Sequence, residues 1–160
     1  MGKKHIVICG SMSNYEEMLK YQNILMKNNI PCLVPENEGE LIKQLSRDEF
    51  NEFKRKVSKK HFEEIINNNV FAILVVNPTK NYIPNYIGAN TFAEIAIAFY
   101  KQRQIFLLYD IYEGFKDELI AWDIKPLQGN INSLIEEYNS SIYCKDSGEE
   151  ILTNRMVEVK

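Results

Sequence analysis

In residues 81–100, NYIPNYIGANTFAEIAIAFY, Glu94 alone carries a carboxylate, amine, guanidinium or imidazole. Ala93, Ile95, Ala96, Ile97 and Ala98 surround it, so the helix they predict is apolar on nearly every side and belongs in an interior. A carboxylate in that setting has two readings. TFAE, Thr91 to Glu94, has the spacing of a capping box, in which Thr closes the helix start and Glu reaches back to the Thr N–H. Alternatively, Glu94 sits in the first turn after a long loop, where the helix dipole keeps it ionised, as a nucleophile must be. A cap would bond to the Thr91 N–H and face solvent. A nucleophile would face a pocket shared with Ser11 and Asn77.

Other residues with chemistry to offer lie in predicted loops. GSMSN follows the first apolar run, and its Gly10, Ser11 and Ser13 have the composition of an anion cradle at a helix start. An ordinary serine N-cap fits the same letters. Asn77 and Asn90 bracket the loop before the Glu94 helix, either as amides that orient a sugar or base or as turn residues satisfying their own backbone. Tyr82 and Tyr86 either stack on a flat ring or cover the sheet edge. KRKVSKKH, residues 54–61, reads as a solvated helix face.

Several function classes are disfavoured. Neither G-x-G-x-x-G after the first strand nor a P-loop is present, and there is no G-x-S-x-G elbow. Cys9, Cys32 and Cys144 are widely spaced and the two histidines, His5 and His61, are at ligand spacing neither from each other nor from a cysteine. That spacing predicts reduced thiols in a cytoplasmic protein and no zinc site, and nothing calls for a metal or cofactor. The net charge of −3 argues against a nucleic-acid polymer as partner. No apolar run is long enough for a membrane span, and MGKKHIVICG lacks the pattern of a signal peptide.

The elements that must position these residues are legible as runs. HIVIC (5–9), PCLVP (31–35), VFAILVV (70–76) and IFLLY (105–109) read as strands, with KPLQ (125–128) a short fifth. Helical patterns cover about 14–28, two segments within 38–68, the Glu94 segment, 115–122 and 130–139. Within 38–68, Phe50, Phe53, Val57, Phe62, Ile65 and Ile66 form the inward face. VFAILVV does not alternate, as expected of a strand covered on both faces. The predicted fold class is therefore α/β, a Rossmann-like three-layer sandwich on a parallel sheet of about four to five strands. One domain spans residues 1–140. Residues 141–160 are read as a tail, a hairpin around Asp146–Gly148 or a partner-binding arm.

HIVICGSMSNYEEM, AILVVN, YIGANTFAEIAIAF and KQRQIFLL together resemble the nucleoside 2-deoxyribosyltransferase-like superfamily, which includes the 2'-deoxynucleoside 5'-monophosphate N-glycosidases. The resemblance covers roughly residues 4–130. It implies that Glu94 attacks the anomeric carbon and forms a glycosyl-enzyme. It implies phosphate binding by Gly10, Ser11 and Ser13, substrate contacts from the loop and helix start around Tyr86, Gly88 and Asn90, and a homodimer or larger homo-oligomer. The chain departs from the family pattern in having no Asp in the loop after the third strand, and Met12, Ser13 and Asn14 replace the glycosidases' arginine-and-glycine continuation. The group that protonates the leaving base is thus unassigned. A cytokinin-type phosphoribohydrolase, which begins with a similar CGS loop, is an alternative, as are a non-catalytic nucleotide-binding module and a structural subunit acting through its tail.

Overall fold

The computed structural model describes residues 3–37 and 39–146. Five strands form one all-parallel sheet in the order β2-β1-β3-β4-β5: β1 (His5–Gly10), β2 (Cys32–Leu33), β3 (Val70–Val76), β4 (Gln104–Leu107) and β5 (Lys125–Pro126). The fold class is as expected. β1 and β3 pair in register from Ile6–Ala72 to Gly10–Val76, and β4 continues the sheet from β3. The chain order reverses between β1 and β3, and at such a switch point a crevice opens beyond the strands' carboxyl ends.

Among the described residues there are six α-helices: α1 (Tyr15–Lys27), α2 (Gly39–Ile42), α3 (Arg47–Ile66), α4 (Ala89–Tyr100), α5 (Lys116–Ala121) and α6 (Ile131–Asp146). α6 runs across residue 140 to Asp146, and the remainder of the hairpin read around Asp146–Gly148 lies outside the described residues. Successive strand residues point to opposite faces, which divides the core in two. Ile6, Ile8, Ala72, Leu74, Val76 and Phe106 meet Met18 and Leu25 of α1 and Leu134, Ile135 and Tyr138 of α6. Val7, Cys9, Ile73, Val75, Ile105 and Leu107 meet Ile65 of α3, Ile95 and Ala98 of α4 and Leu119 of α5.

The expected inward face of α3 needs correction. Its fully covered residues are His61 and Ile65, whereas Phe53 is half-buried and Val57 and Ile66 are exposed. The apolar stripe is rotated partly off the sheet and forms the wall of a cavity.

Candidate functional site

Glu94 does not cap its helix. The N-cap of α4 is Gly88, whose carbonyl accepts from Phe92 N at 2.9 Å, and Thr91 is a buried residue of the first turn. Glu94 therefore lies in the second turn, not the first, and Asn90 is an exposed residue inside the helix rather than before it. Nor does the helix dipole hold the carboxyl ionised: burial raises its pKa to about 7, against smaller lowering effects from the Cys9 thiol and the Lys54 charge.

The side chain points inward, between α3, α4 and the sheet. Glu94 Oε1 lies 3.7 Å from His61 Nδ1, and His61 Nε2 lies 3.8 Å from Cys9 Sγ. One ligand atom from each of the three residues can be chosen so that all lie within 4.8 Å of one another. Glu94 Oε2 is buried and has no hydrogen-bond partner. Burial, with some help from Lys60, lowers the His61 pKa, so the ring is neutral at pH 7 and its contact with Glu94 is dipolar. Burial and the Glu94 charge push the Cys9 thiol well up. Cys9 is the penultimate residue of β1, His61 lies near the end of α3, and α3 packs beside α4, so the crossovers of the fold bring the trio together.

His61 also lines a cavity of about 220 Å³ between α3 and the segment after β2. Pro35, Phe53 and Val57 give it apolar walls, and Glu36, Lys60 and Glu64 give it a charged rim. Lys60 pairs with Glu36 across the rim. Glu94 is not on the wall; it stands behind His61.

Two residues beyond Cys9 on the same extended backbone, Ser11 opens a second polar cluster. Its Oγ is 2.9 Å from Ser13 Oγ and accepts from Lys80 Nζ at 3.0 Å. Lys80 also lies 5.6 Å from the centre of the Tyr86 ring. The sequence reading missed Lys80, because a lysine in a polar loop carries no pattern until β1 and β3 are paired. Ser11 is the N-cap of a short 3₁₀ turn, Met12–Asn14, but makes no side-chain cap bond, so the plain N-cap reading of the serines is not what holds that turn.

The remaining predicted residues are committed to structure. A Cβ on Gly10 would stand 3.0 Å from the Val76 carbonyl oxygen and 3.4 Å from Met18 Sδ, so a larger residue there would press on β3 and α1. Gly88 is under no such constraint, since a Cβ would meet only ordinary contacts with Tyr86. Asn77 is fully buried. Its amide donates to the carbonyls of Asn85 and Asp110 and accepts from Tyr109 N, which ties the loop after β3 to the loop after β4. In the loop that it anchors, Asn81, Tyr82 and Asn85 take left-handed backbone, and for tyrosine that conformation is strained. Tyr86 packs edge-on against Tyr112, which leads through Phe115 to Phe92 and Trp122. Tyr82 is fully exposed.

Fold and site together define a doubly wound, all-parallel α/β protein with a buried carboxylate–imidazole–thiol cluster beside a small cavity. Compared with protein-family models, with curated proteins and with solved structures, the chain matches none. No described helix is long and apolar enough to cross a membrane.

Proposed function

We propose that this chain cleaves or transfers at the N-glycosidic bond of a deoxynucleoside, a nucleoside or the corresponding 5'-monophosphate, with Glu94 as nucleophile. The observation that carries this reading is Glu94 Oε2, a buried carboxylate oxygen with no partner, whose side chain touches the His61 ring that lines a cavity with apolar walls. Its lone pair attacks the anomeric carbon, the carbon–nitrogen bond breaks with its electrons passing to the base, and the base takes up a proton from solvent water. Water or a second base then attacks the same carbon and releases the carboxylate. Neutral His61, touching Glu94 and lining the cavity, is placed to accept the proton of the attacking water. Lys80 with Ser11 and Ser13 offers charge and hydroxyls to a 5'-phosphate. The displacement needs no cofactor.

Exposed Phe99, Tyr100 and Ile120 on α4 and α5 support a homo-oligomer, and the free thiols of Cys9 and Cys32 support a cytoplasmic setting. One observation favours a second reading, a non-catalytic nucleotide-binding module: Glu94 stands behind His61 rather than on the cavity wall.

The test is chromatographic. Wild-type protein and Glu94→Ala are incubated with deoxynucleosides, nucleosides and their 5'-monophosphates, with and without a second free base. Free base from the wild type alone supports a hydrolase, and base exchange without net release supports a transferase. Binding of a nucleotide with neither reaction sinks the catalytic reading and leaves the binding module.

A further inference from the structure

We propose that Cys9, His61 and Glu94 form a binding site for a thiophilic divalent cation of the zinc class. The spacing of cysteine and histidine along the chain argued against such a site, but the fold supplies one thiol, one imidazole and one carboxylate from β1, α3 and α4. Soft and borderline donors in that combination suit zinc rather than calcium or magnesium, which take oxygen ligands. Around a tetrahedral zinc the donor atoms stand roughly 3.3–3.7 Å apart, from metal–ligand bonds of about 2.0–2.3 Å. Here one ligand atom from each residue can be chosen so that all three lie within 4.8 Å of one another. Side-chain movements on the order of 1 Å would close the set.

A second, independent observation points to the same ligand. Glu94 Oε2 is buried without a partner, and a buried polar atom left unsatisfied in a folded protein calls for a water, an ion or a functional role. A cation bound by one imidazole nitrogen, the thiolate and this carboxylate would satisfy it. On binding, the Cys9 thiol releases its proton to solvent and the sulfur donates its pair to the metal. His61 gives the ion a route in, because its ring lines the cavity. No fourth histidine, cysteine, aspartate or glutamate joins the group among the described residues, which leaves one tetrahedral position for water or a small ligand. The same three groups do not make a cysteine nucleophile, since Cys9 is wholly shielded from solvent.

This inference does not depend on the glycosidase reading, but it bears on it. A cation on Glu94 occupies the lone pair that the nucleophile would use, so a loaded protein would be held inactive.

The experiment uses the full chain, stripped with chelator and titrated with Co²⁺ alone, without substrate. The expected result is a thiolate-to-cobalt charge-transfer band and the visible absorption of a four-coordinate ion, saturating at one equivalent and displaced by Zn²⁺. Cys9→Ser loses the charge-transfer band, while Cys32→Ser and Cys144→Ser keep it. Glu94→Gln and His61→Gln weaken Zn²⁺ binding at least tenfold. Zinc raises the thermal midpoint of the wild type and not that of Glu94→Gln, whose near-isosteric side chain preserves the fold; far-ultraviolet circular dichroism checks each variant. The proposal is overturned if the wild type gives no cobalt spectrum. It is equally overturned if the band survives Cys9→Ser, or disappears in Cys32→Ser or Cys144→Ser instead. Base release by the metal-free protein is assayed separately, so a failed metal site and a failed glycosidase reading give different results.

Discussion

The two faces of the sheet make different use of similar materials. Under α1 and α6, Ile6, Ile8, Leu74, Leu25 and Leu134 close on one another, and the polar tips of the tyrosines among them find partners: the Tyr138 hydroxyl donates to the Lys4 carbonyl and the Tyr109 hydroxyl to Glu17. Under α3, α4 and α5 the strands supply an equally apolar surface, yet Cys9, His61 and Glu94 are set into it. Satisfying nothing with Glu94 Oε2 costs stability, on the order of 1–3 kcal/mol for a buried unpaired polar group. The first face holds the fold together. The second carries a local instability that has no structural use, and that is the physical case for a site there rather than merely a core.

The comparison is broken or upheld most sharply by one substitution on each face. Leu25→Ala, on the fully buried side of α1, is expected to destabilise the protein by about 2–5 kcal/mol in urea unfolding and to leave any turnover per folded molecule unchanged. Glu94→Gln in metal-free protein is expected to do the reverse. The Glu94 carboxyl titrates at about 7 when folded against 4.5 for an unperturbed glutamate, so the folded state binds the proton more tightly than the unfolded chain. That contribution is fully present below 4.5 and is lost as pH rises through about 7. Glutamine imitates the protonated acid, so the gain from the substitution should be negligible at pH 4 and approach roughly 3 kcal/mol at pH 8, at about 1.4 kcal/mol for each tenfold in proton affinity. Unfolding curves at the two pH values measure it. A Glu94→Gln protein less stable than wild type at pH 8 would mean that the carboxylate is paired in solution and that the two faces are alike.

Much of the first face was legible in the sequence, and the second only in outline. HIVIC, VFAILVV and IFLLY are short, β-branched and unbroken, so covered parallel strands were the reading their composition allowed. Glu94 stood out because nothing near it in sequence is charged. Its partners did not. Cys9 looked like one more apolar strand residue, and His61 closed a basic run taken for a solvated face. The two are 52 positions apart, and only the packing of α3 against α4 over β1 joins them. Lys80 and Ser11 are 69 positions apart and meet for the same kind of reason. Asn77 was noticed for its place at a strand end, but its role as a clamp depends on a loop that begins beyond β4.

That clamp gives a smaller effect that sharpens the contrast from a third place. Asn77→Ala removes two donors and an acceptor from a fully buried position and leaves Tyr109 N and the carbonyls of Asn85 and Asp110 to find other partners. A loss of about 1–3 kcal/mol is expected. Hydrogen exchange of the Tyr109 amide should quicken in the variant, while the α1 amides under Leu25 stay protected, because the clamp serves the crevice and not the far core.

The smallest effect separates two stretches that look alike in the sequence. SRDE, Ser46 to Glu49, and TFAE, Thr91 to Glu94, both match the capping box. In the first, Glu49 N donates to Ser46 Oγ at 3.4 Å and Ser46 N donates to Glu49 Oε2 at 2.8 Å, at the start of α3. In the second, the N-cap is Gly88, three residues earlier, so Thr91 already lies inside the helix. Ser46→Ala should therefore cost about 1 kcal/mol by loss of a cap. Thr91→Val, a change of similar shape at a buried position with no cap to lose, should cost less. Paired thermal or urea unfolding of the two variants decides the matter: a larger loss from Thr91→Val would return Glu94 to the role of a cap and take away the unpaired oxygen on which the site is built.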